Sequence, residues 1–250
     1  MDKLANKIAV VTGASKGIGA AIARQFAAEG ATVVVNYATS RADADRVVAD
    51  IAAAGGQAVA LGADVGVESD VRKLFQAVKE RFGRVDLLVN NAGVYSFSSL
   101  GEITPEGFRA IYETNVLGTL LASREAAALM PAGGGAIVNI GSVVTGMAPP
   151  SAAVYAGSKG AIDVITKSLA KELGPRGIRV NAIGPGLTIT EGVHAAGIAN
   201  SDFERQMVAI TPLGRAGQPM DIALPAVFLA SEDARFVTGE TLFVGGGAGM

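Results

Sequence analysis

Hydrophobic positions along this 250-residue chain follow two alternating patterns. Short continuous apolar runs occur at 8–12 (IAVVT), 32–35 (TVVV), 58–65 (AVALGADV), 85–90 (VDLLVN), 136–142 (AIVNIGS), 178–185 (IRVNAIGP) and 241–246 (TLFVGG). Strands that are apolar without in/out alternation belong to a sheet covered on both faces. Between them, segments 18–30, 70–83, 106–130, 155–174 and 220–231 space their apolar residues as helices do. Strand and helix in alternation predict an α/β fold, a doubly wound seven-stranded parallel sheet flanked by helices on both faces. No Pro/Ser-rich linker and no internal repeat divides the chain, so 1–250 reads as a single domain. Regularity breaks only at 186–212, too long for a connector and too irregular for one helix. Such an insertion is expected to form a lid over a site.

Composition narrows the function more than the fold. Half of the residues are hydrophobic and 18% are charged, the balance of an ordered, well buried globule. The net charge of −2 and the lack of any block of like charges give no grip on nucleic acid or an anionic membrane, leaving small-molecule chemistry. The absence of cysteine removes disulfides, thiol nucleophiles and thiolate metal sites. One histidine, His194, makes no multi-histidine site, so no metal is expected; His194 reads as a loop residue. The N-terminal apolar run is too short for a secretory signal, and none reaches the roughly 20 residues that span a bilayer. A cytoplasmic location is the expectation.

Two local patterns carry chemistry. Directly after the first strand, TGASKGIG places Gly13, Gly17 and Gly19 at a strand-to-helix turn. Glycine there permits a tight turn and close approach of a diphosphate to the backbone, and the helix start offers unpaired N–H groups. Further on, Tyr155 and Lys159 stand four residues apart at helical spacing, so their polar tips share a face. An ammonium near a phenol favours phenolate and lowers its pKa from about 10, which makes tyrosine a usable proton donor.

Together with these patterns, the order T-G-x-x-x-G-I-G (12–19), Asp64–Val65, N-N-A-G (90–93), Asn115, Ser142, Y-x-x-x-K (155–159) and Pro185–Gly186 with Thr190 resembles the short-chain dehydrogenase/reductase family over essentially the whole chain. The nearest group is that of the 3-oxoacyl-carrier-protein reductases and other ketoreductases. The resemblance implies a Rossmann-like NAD(P)-binding domain whose catalytic set is Asn115, Ser142, Tyr155 and Lys159. In that scheme Tyr155 protonates the carbonyl oxygen as hydride arrives from the nicotinamide, and Ser142 hydrogen-bonds that oxygen. Lys159 lowers the tyrosine pKa and holds the nicotinamide ribose, and Asn115 holds a water that resupplies protons. Structurally, Asn115 could equally close backbone hydrogen bonds at a helix irregularity.

The same resemblance implies the cofactor contacts. Gly13, Ser15, Lys16, Gly17, Ile18 and Gly19 surround the diphosphate; Asp64 and Val65 meet the adenine; Asn91, Ala92 and Gly93 meet the ribose. Pro185, Gly186, Thr188 and Thr190 hold the nicotinamide side, although a lone threonine could simply cap a helix. At the end of the second strand Tyr37, followed by Ala38, Thr39 and Ser40, stands where an NAD-binding unit carries an acid. With Arg41 and Lys16 nearby this favours NADP(H), with NAD(H) possible.

For the substrate, Val144, Met147, Ala148, Pro149, Pro150, Tyr95, Ile189, Val193 and Phe203 predict a mainly apolar pocket. No lysine or arginine occurs between Glu125 and Ser158, which disfavours an acidic carrier protein, although Arg124, Lys171 and Arg176 remain nearby in sequence. The expected activity is a carbonyl reductase or alcohol dehydrogenase acting on a small to medium apolar ketone or secondary alcohol. A carrier-protein reductase, a glucose-type sugar dehydrogenase and a non-catalytic dinucleotide sensor are the alternatives. Apolar residues on more than one face of 106–130 and 155–174 and the resemblance itself predict a homotetramer.

Overall fold

The computed structural model describes residues 2–249. Seven strands, β1 (Ile8–Val11), β2 (Thr32–Tyr37), β3 (Gln57–Gly62), β4 (Leu87–Asn90), β5 (Gly135–Ile140), β6 (Ile178–Pro185) and β7 (Thr241–Val244), pair in parallel in the order 3-2-1-4-5-6-7. Successive strand residues serve opposite faces. Ala9, Val11, Val33 and Val35 pack with α1 (Gly17–Ala28), α2 (Arg41–Ala53) and α10 (Pro219–Ala230) through Ile22, Phe26, Val47 and Ala226. Val10, Val34, Leu88 and Ile137 pack on the other face with α3 (Glu68–Phe82), α5 (Gly118–Leu129) and α7 (Ala153–Leu173) through Phe75, Leu121 and Leu173. Both clusters are buried, which is why the strands lack polar alternation.

β1 lies between β2 and β4, so the chain reverses its direction of winding there and opens a crevice at the carboxyl ends of those strands. Several boundaries differ from the sequence pattern, and each difference bears on the site. β3 stops at Gly62 and β5 at Ile140, so Asp64, Val65 and Ser142 stand on the loops that follow. The helix expected over 106–130 is three pieces: α4 (Pro105–Tyr112), a π-helical turn (Glu113–Leu117) and α5. Segment 41–53, absent from the pattern reading, forms α2 on a narrow stripe of Ala44, Val47 and Ile51. A four-residue helix, α6 (Val144–Met147), follows β5, and the irregular 186–212 region contains α8 (Glu191–Ala195) and α9 (Asp202–Ala209). Among the described residues no helix is long and apolar enough to cross a membrane.

Candidate active site

The glycine turn after β1 is clipped to its neighbours by side chains. Thr12 Oγ1 accepts from the amides of Asn91 (3.0 Å) and Ala92 (3.1 Å), and Asn91 Nδ2 donates back to the carbonyls of Thr12 (2.9 Å) and Gly13 (3.0 Å). On the other side the Gly13 amide donates to Asn36 Oδ1 at 3.2 Å. Gly13 and Gly17 both have φ of 59°, a left-handed conformation that favours glycine. A Cβ on Gly13 would lie 2.8 Å from Ala92 Cα, and one on Gly19 would lie 2.4 Å from Asn91 Nδ2. The turn thus presents bare backbone and the start of α1 to the crevice, the geometry that accepts a diphosphate. Asn36 escaped the sequence reading; its signal is a polar residue inside the otherwise apolar end of β2, where it is buried.

A cavity of about 580 Å³ opens beside this turn. Of the predicted residues, Ile18, Asn91, Gly93, Ser142, Tyr155, Lys159, Pro185, Gly186, Thr188 and Thr190 line it. Tyr37, Ala38, Thr39, Ser40, Asp64 and Val65 instead follow or end β2 and β3, outside the cavity wall. There the Tyr37 ring lies on Gly62, where a Cβ would come within 3.1 Å of Cζ. Asp64 Oδ1 accepts from the Gly66 amide at 2.9 Å and so closes its own turn. Arg41 begins α2 and stands 3.5 Å from Asp45, both side chains exposed. The two threonines have local partners: Thr188 Oγ1 donates to the Gly186 carbonyl (3.1 Å), and Thr190 Oγ1 caps α8 by accepting from the Val193 amide (3.3 Å).

Ser142 follows β5, and Tyr155 and Lys159 occupy the first two turns of α7. Ser142 Oγ accepts from the Val144 amide at 3.1 Å. Lys159 is buried, and its Nζ donates to the Ile140 carbonyl at 2.8 Å. Burial pulls its pKa down to about 8, against the pull of Asp163 one turn further along α7. The expected depression of the Tyr155 pKa by Lys159 is not what the structure shows. Burial pushes the Tyr155 phenol up, the Ser142 hydroxyl draws it part of the way back, and Tyr95 adds to the rise. The reason is geometric: with its ammonium engaged by Ile140, Lys159 lies 6.0 Å from the phenol ring centre.

Asn115 lies in the π turn, where widened winding brings its side chain towards the β4 loop. Its Oδ1 accepts from the Val94 amide (2.8 Å), while Nδ2 donates to the Val94 carbonyl (2.9 Å) and Ser158 Oγ (3.0 Å). Gly93 is wedged between Asn115 and Lys159; a Cβ there would be 3.3 Å from Asn115 Oδ1 and 3.6 Å from Lys159 Nζ. Asn115 thus makes the structural bonds that its position at a helix irregularity implied, and those bonds fix the floor beneath Lys159.

The rest of the cavity is apolar. Tyr95, Val144, Met147, Pro149, Pro150, Val193 and Phe203 line it as expected, whereas Ala148 and Ile189 do not. Phe97, Ile198 and Met207 were missed, since residues on loops and short helices show no periodicity that marks their facing. Tyr95, Phe97 and Tyr155 form an aromatic triangle with ring centres 6.0–6.1 Å apart. Phenol, hydroxyl and ammonium therefore line one apolar cavity beside the glycine turn, an arrangement suited to protonating an oxygen whose carbon accepts hydride.

A sequence model of a protein family described as enoyl-(acyl carrier protein) reductase matches residues 13–249. The chain belongs to the short-chain dehydrogenase/reductase family. As such it is an NAD(P)-dependent oxidoreductase acting on CH–OH or C=O groups. An oxidoreductase of Methylorubrum extorquens of undescribed substrate is 56% identical over 247 residues, covering 99% of each chain. Versicolorin reductase of Emericella nidulans is 39% identical, covering 98% of this chain and 97% of its own. Among solved structures of this short-chain dehydrogenase/reductase fold, an angucycline C-6 ketoreductase with bound NADP is 38% identical. It superimposes with a TM-score of 0.92 over 99% of this chain and 97% of that one.

Proposed function

We propose that this chain is an NADP(H)-dependent ketoreductase that converts an apolar, ring-bearing ketone to a secondary alcohol, with Asn115, Ser142, Tyr155 and Lys159 as its working set. The observation that carries the reading is the position of Tyr155, whose ring belongs to the aromatic triangle with Tyr95 and Phe97 in the wall of the apolar cavity. A ketone stacked there lies against its proton donor. The names of the versicolorin and angucycline reductases agree in substrate type.

When bound, the nicotinamide supplies the hydride. Ser142 and Tyr155 hydrogen-bond the substrate oxygen, and Tyr155 gives it a proton as negative charge develops. Because burial keeps the phenol protonated through neutral pH, Tyr155 is ready as an acid. Alcohol oxidation needs the phenolate as base, so its rate should rise with pH as the phenol ionises. Lys159, held by Ile140 beside Gly93, is placed to take ribose hydroxyls and to return charge towards the phenol once it leaves the carbonyl. Asn115 keeps Gly93 and Val94 in place for that exchange.

For the cofactor, Tyr37, Ala38, Thr39 and Ser40 offer no carboxylate to repel a 2′-phosphate, and Arg41 and Lys16 are exposed at the same end of the sheet. The NADP bound to the angucycline reductase supports this choice. A carrier-protein substrate is disfavoured because two nearby cations are spent elsewhere: Arg124 pairs with Glu68 and Glu125, and Arg176 donates to the Ala127 carbonyl. Segment 186–212 acts as the lid, since Val193, Ile198, Phe203 and Met207 contribute cavity wall. Exposed Phe108, Leu117, Leu120 and Val164 on the α4–α7 side support a homotetramer. A sedimentation mass of one 25.2 kDa chain would exclude it.

The test is a panel of aromatic and aliphatic ketones, β-ketoesters, acyl thioesters and sugars assayed with NADPH and NADH. The reading expects aromatic and other apolar ketones to lead, with NADPH at least about tenfold better in kcat/KM, a difference of ~1.4 kcal/mol. Preference for thioesters, for sugars or for NADH would overturn the corresponding part.

A further inference from the structure

Gly17 is the first residue of α1, and its amide is one of the N–H groups that a helix start leaves unpaired. In this structure that amide is taken: it donates to Glu191 Oε2 at 2.9 Å, across 174 residues of chain. Thr190 packs over the same glycine, close enough that a Cβ on Gly17 would lie 3.2 Å from its Cγ2. Among the described residues the Glu191 carboxylate has no other hydrogen bond. An anion from α8 therefore sits at the positive end of α1, on the glycine turn that a dinucleotide diphosphate needs.

Two anions at one helix start repel, and one N–H serves one acceptor well. We propose that Glu191 is an internal competitor for the cofactor: its carboxylate caps α1 in the free protein, is displaced by the diphosphate, and thereby sets cofactor affinity and ties cofactor entry to movement of α8. Displacement reaches the substrate cavity, because Val193 on α8 and Ile198 just beyond it line its wall. The inference rests on the reading that the diphosphate binds at the start of α1.

The experiment is a fluorescence titration of NADPH into the wild-type protein and the variants Glu191→Gln, Glu191→Ala and Asp202→Asn, at low and high salt. Asp202 is an exposed acid of the same segment, at the start of α9 and paired with Arg205. Expected is a dissociation constant about fivefold lower for both Glu191 variants at low salt, the size of one anion's interaction with a helix start. The gain should shrink at high salt as the charges are screened. Asp202→Asn should match the wild type. Binding by the Glu191 variants that is unchanged or weaker overturns the inference, as does an equal gain in Asp202→Asn. A wild-type protein that binds no NADPH instead overturns the cofactor reading itself.

Discussion

Replacing Gly19 by alanine sets two principles against each other within one methyl group. Gly19 is the third residue of α1, where alanine suits a helix better than glycine by up to ~1 kcal/mol. Here the added Cβ would lie 2.4 Å from Asn91 Nδ2 and 2.7 Å from the Gly13 carbonyl oxygen. The Asn91 amide must retreat, and with it go its hydrogen bonds to the Thr12 and Gly13 carbonyls. Two such bonds are worth about 1 kcal/mol each, and overpacking a close contact adds about 1–3 kcal/mol. Subtracting the helix gain leaves a net loss of about 2–4 kcal/mol. At ~2–4 °C per kcal/mol for a chain of this size, the unfolding midpoint should fall by roughly 5–15 °C. Paired thermal and urea unfolding of the wild type and Gly19→Ala measure this, and an NADPH titration should show weaker binding because the turn is displaced. A variant as stable as the wild type, or more so, would refute the claim that close approach dictates glycine at this position.

Lys159→Met should separate stability from function. Burial lowers the lysine pKa in the folded chain from 10.5 to about 8, so the folded state binds fewer protons than the unfolded state between those values. Stability of the wild type therefore rises as pH goes from about 8 to 10.5, and below pH 8 the buried charge costs up to ~3 kcal/mol. Methionine removes that cost but leaves the Ile140 carbonyl without its donor, worth ~1 kcal/mol. The variant should be about 2 kcal/mol more stable at pH 7, lose that advantage by pH 10.5, and bind NADPH weakly; a variant less stable at pH 7 contradicts the assignment. Asn115→Ala should lower the urea midpoint by the equivalent of about 2–4 kcal/mol, since three hydrogen bonds are lost, and an unchanged midpoint would deny the tie to Val94 and Ser158. Arg41→Ala should raise KM for NADPH about five- to tenfold and leave KM for NADH alone, the worth of one charge-assisted phosphate contact. Equal changes for both cofactors would remove Arg41 from the 2′-phosphate site.

How much of this was legible beforehand depended on whether a residue's role is local. Continuous apolar strands such as IAVV and TVVV announced a sheet buried on both faces, and Gly13, Gly17 and Gly19 announced a backbone approached closely. Tyr155 and Lys159 share a face because helical spacing dictates it. What their shared face could not convey was the length and destination of the lysine: its ammonium donates a hydrogen bond to the Ile140 carbonyl at the end of β5, and the phenol is raised by burial and not lowered by charge. Asn36 and Glu191 were missed for the same reason, since their partners Gly13 and Gly17 are distant in sequence and only the fold brings them together. Phe97 and Met207 belong to irregular or short segments whose facing no period reveals. Asp64 is the reverse case: the Gly66 amide that its carboxylate accepts from lies only two residues on, a local contact that needs no fold to bring it together.

Delivery of a proton from Tyr155 to a ketone during NADPH oxidation underlies the proposed activity. It is tested most directly by the rate of ketone-dependent NADPH oxidation in the wild type and in Tyr155→Phe, with NADPH affinity measured alongside. Loss of a positioned general acid predicts a fall in kcat of about 10²–10⁴-fold, with NADPH affinity within about twofold of the wild type. A Tyr155→Phe protein that still oxidises NADPH at the wild-type rate would contradict the account.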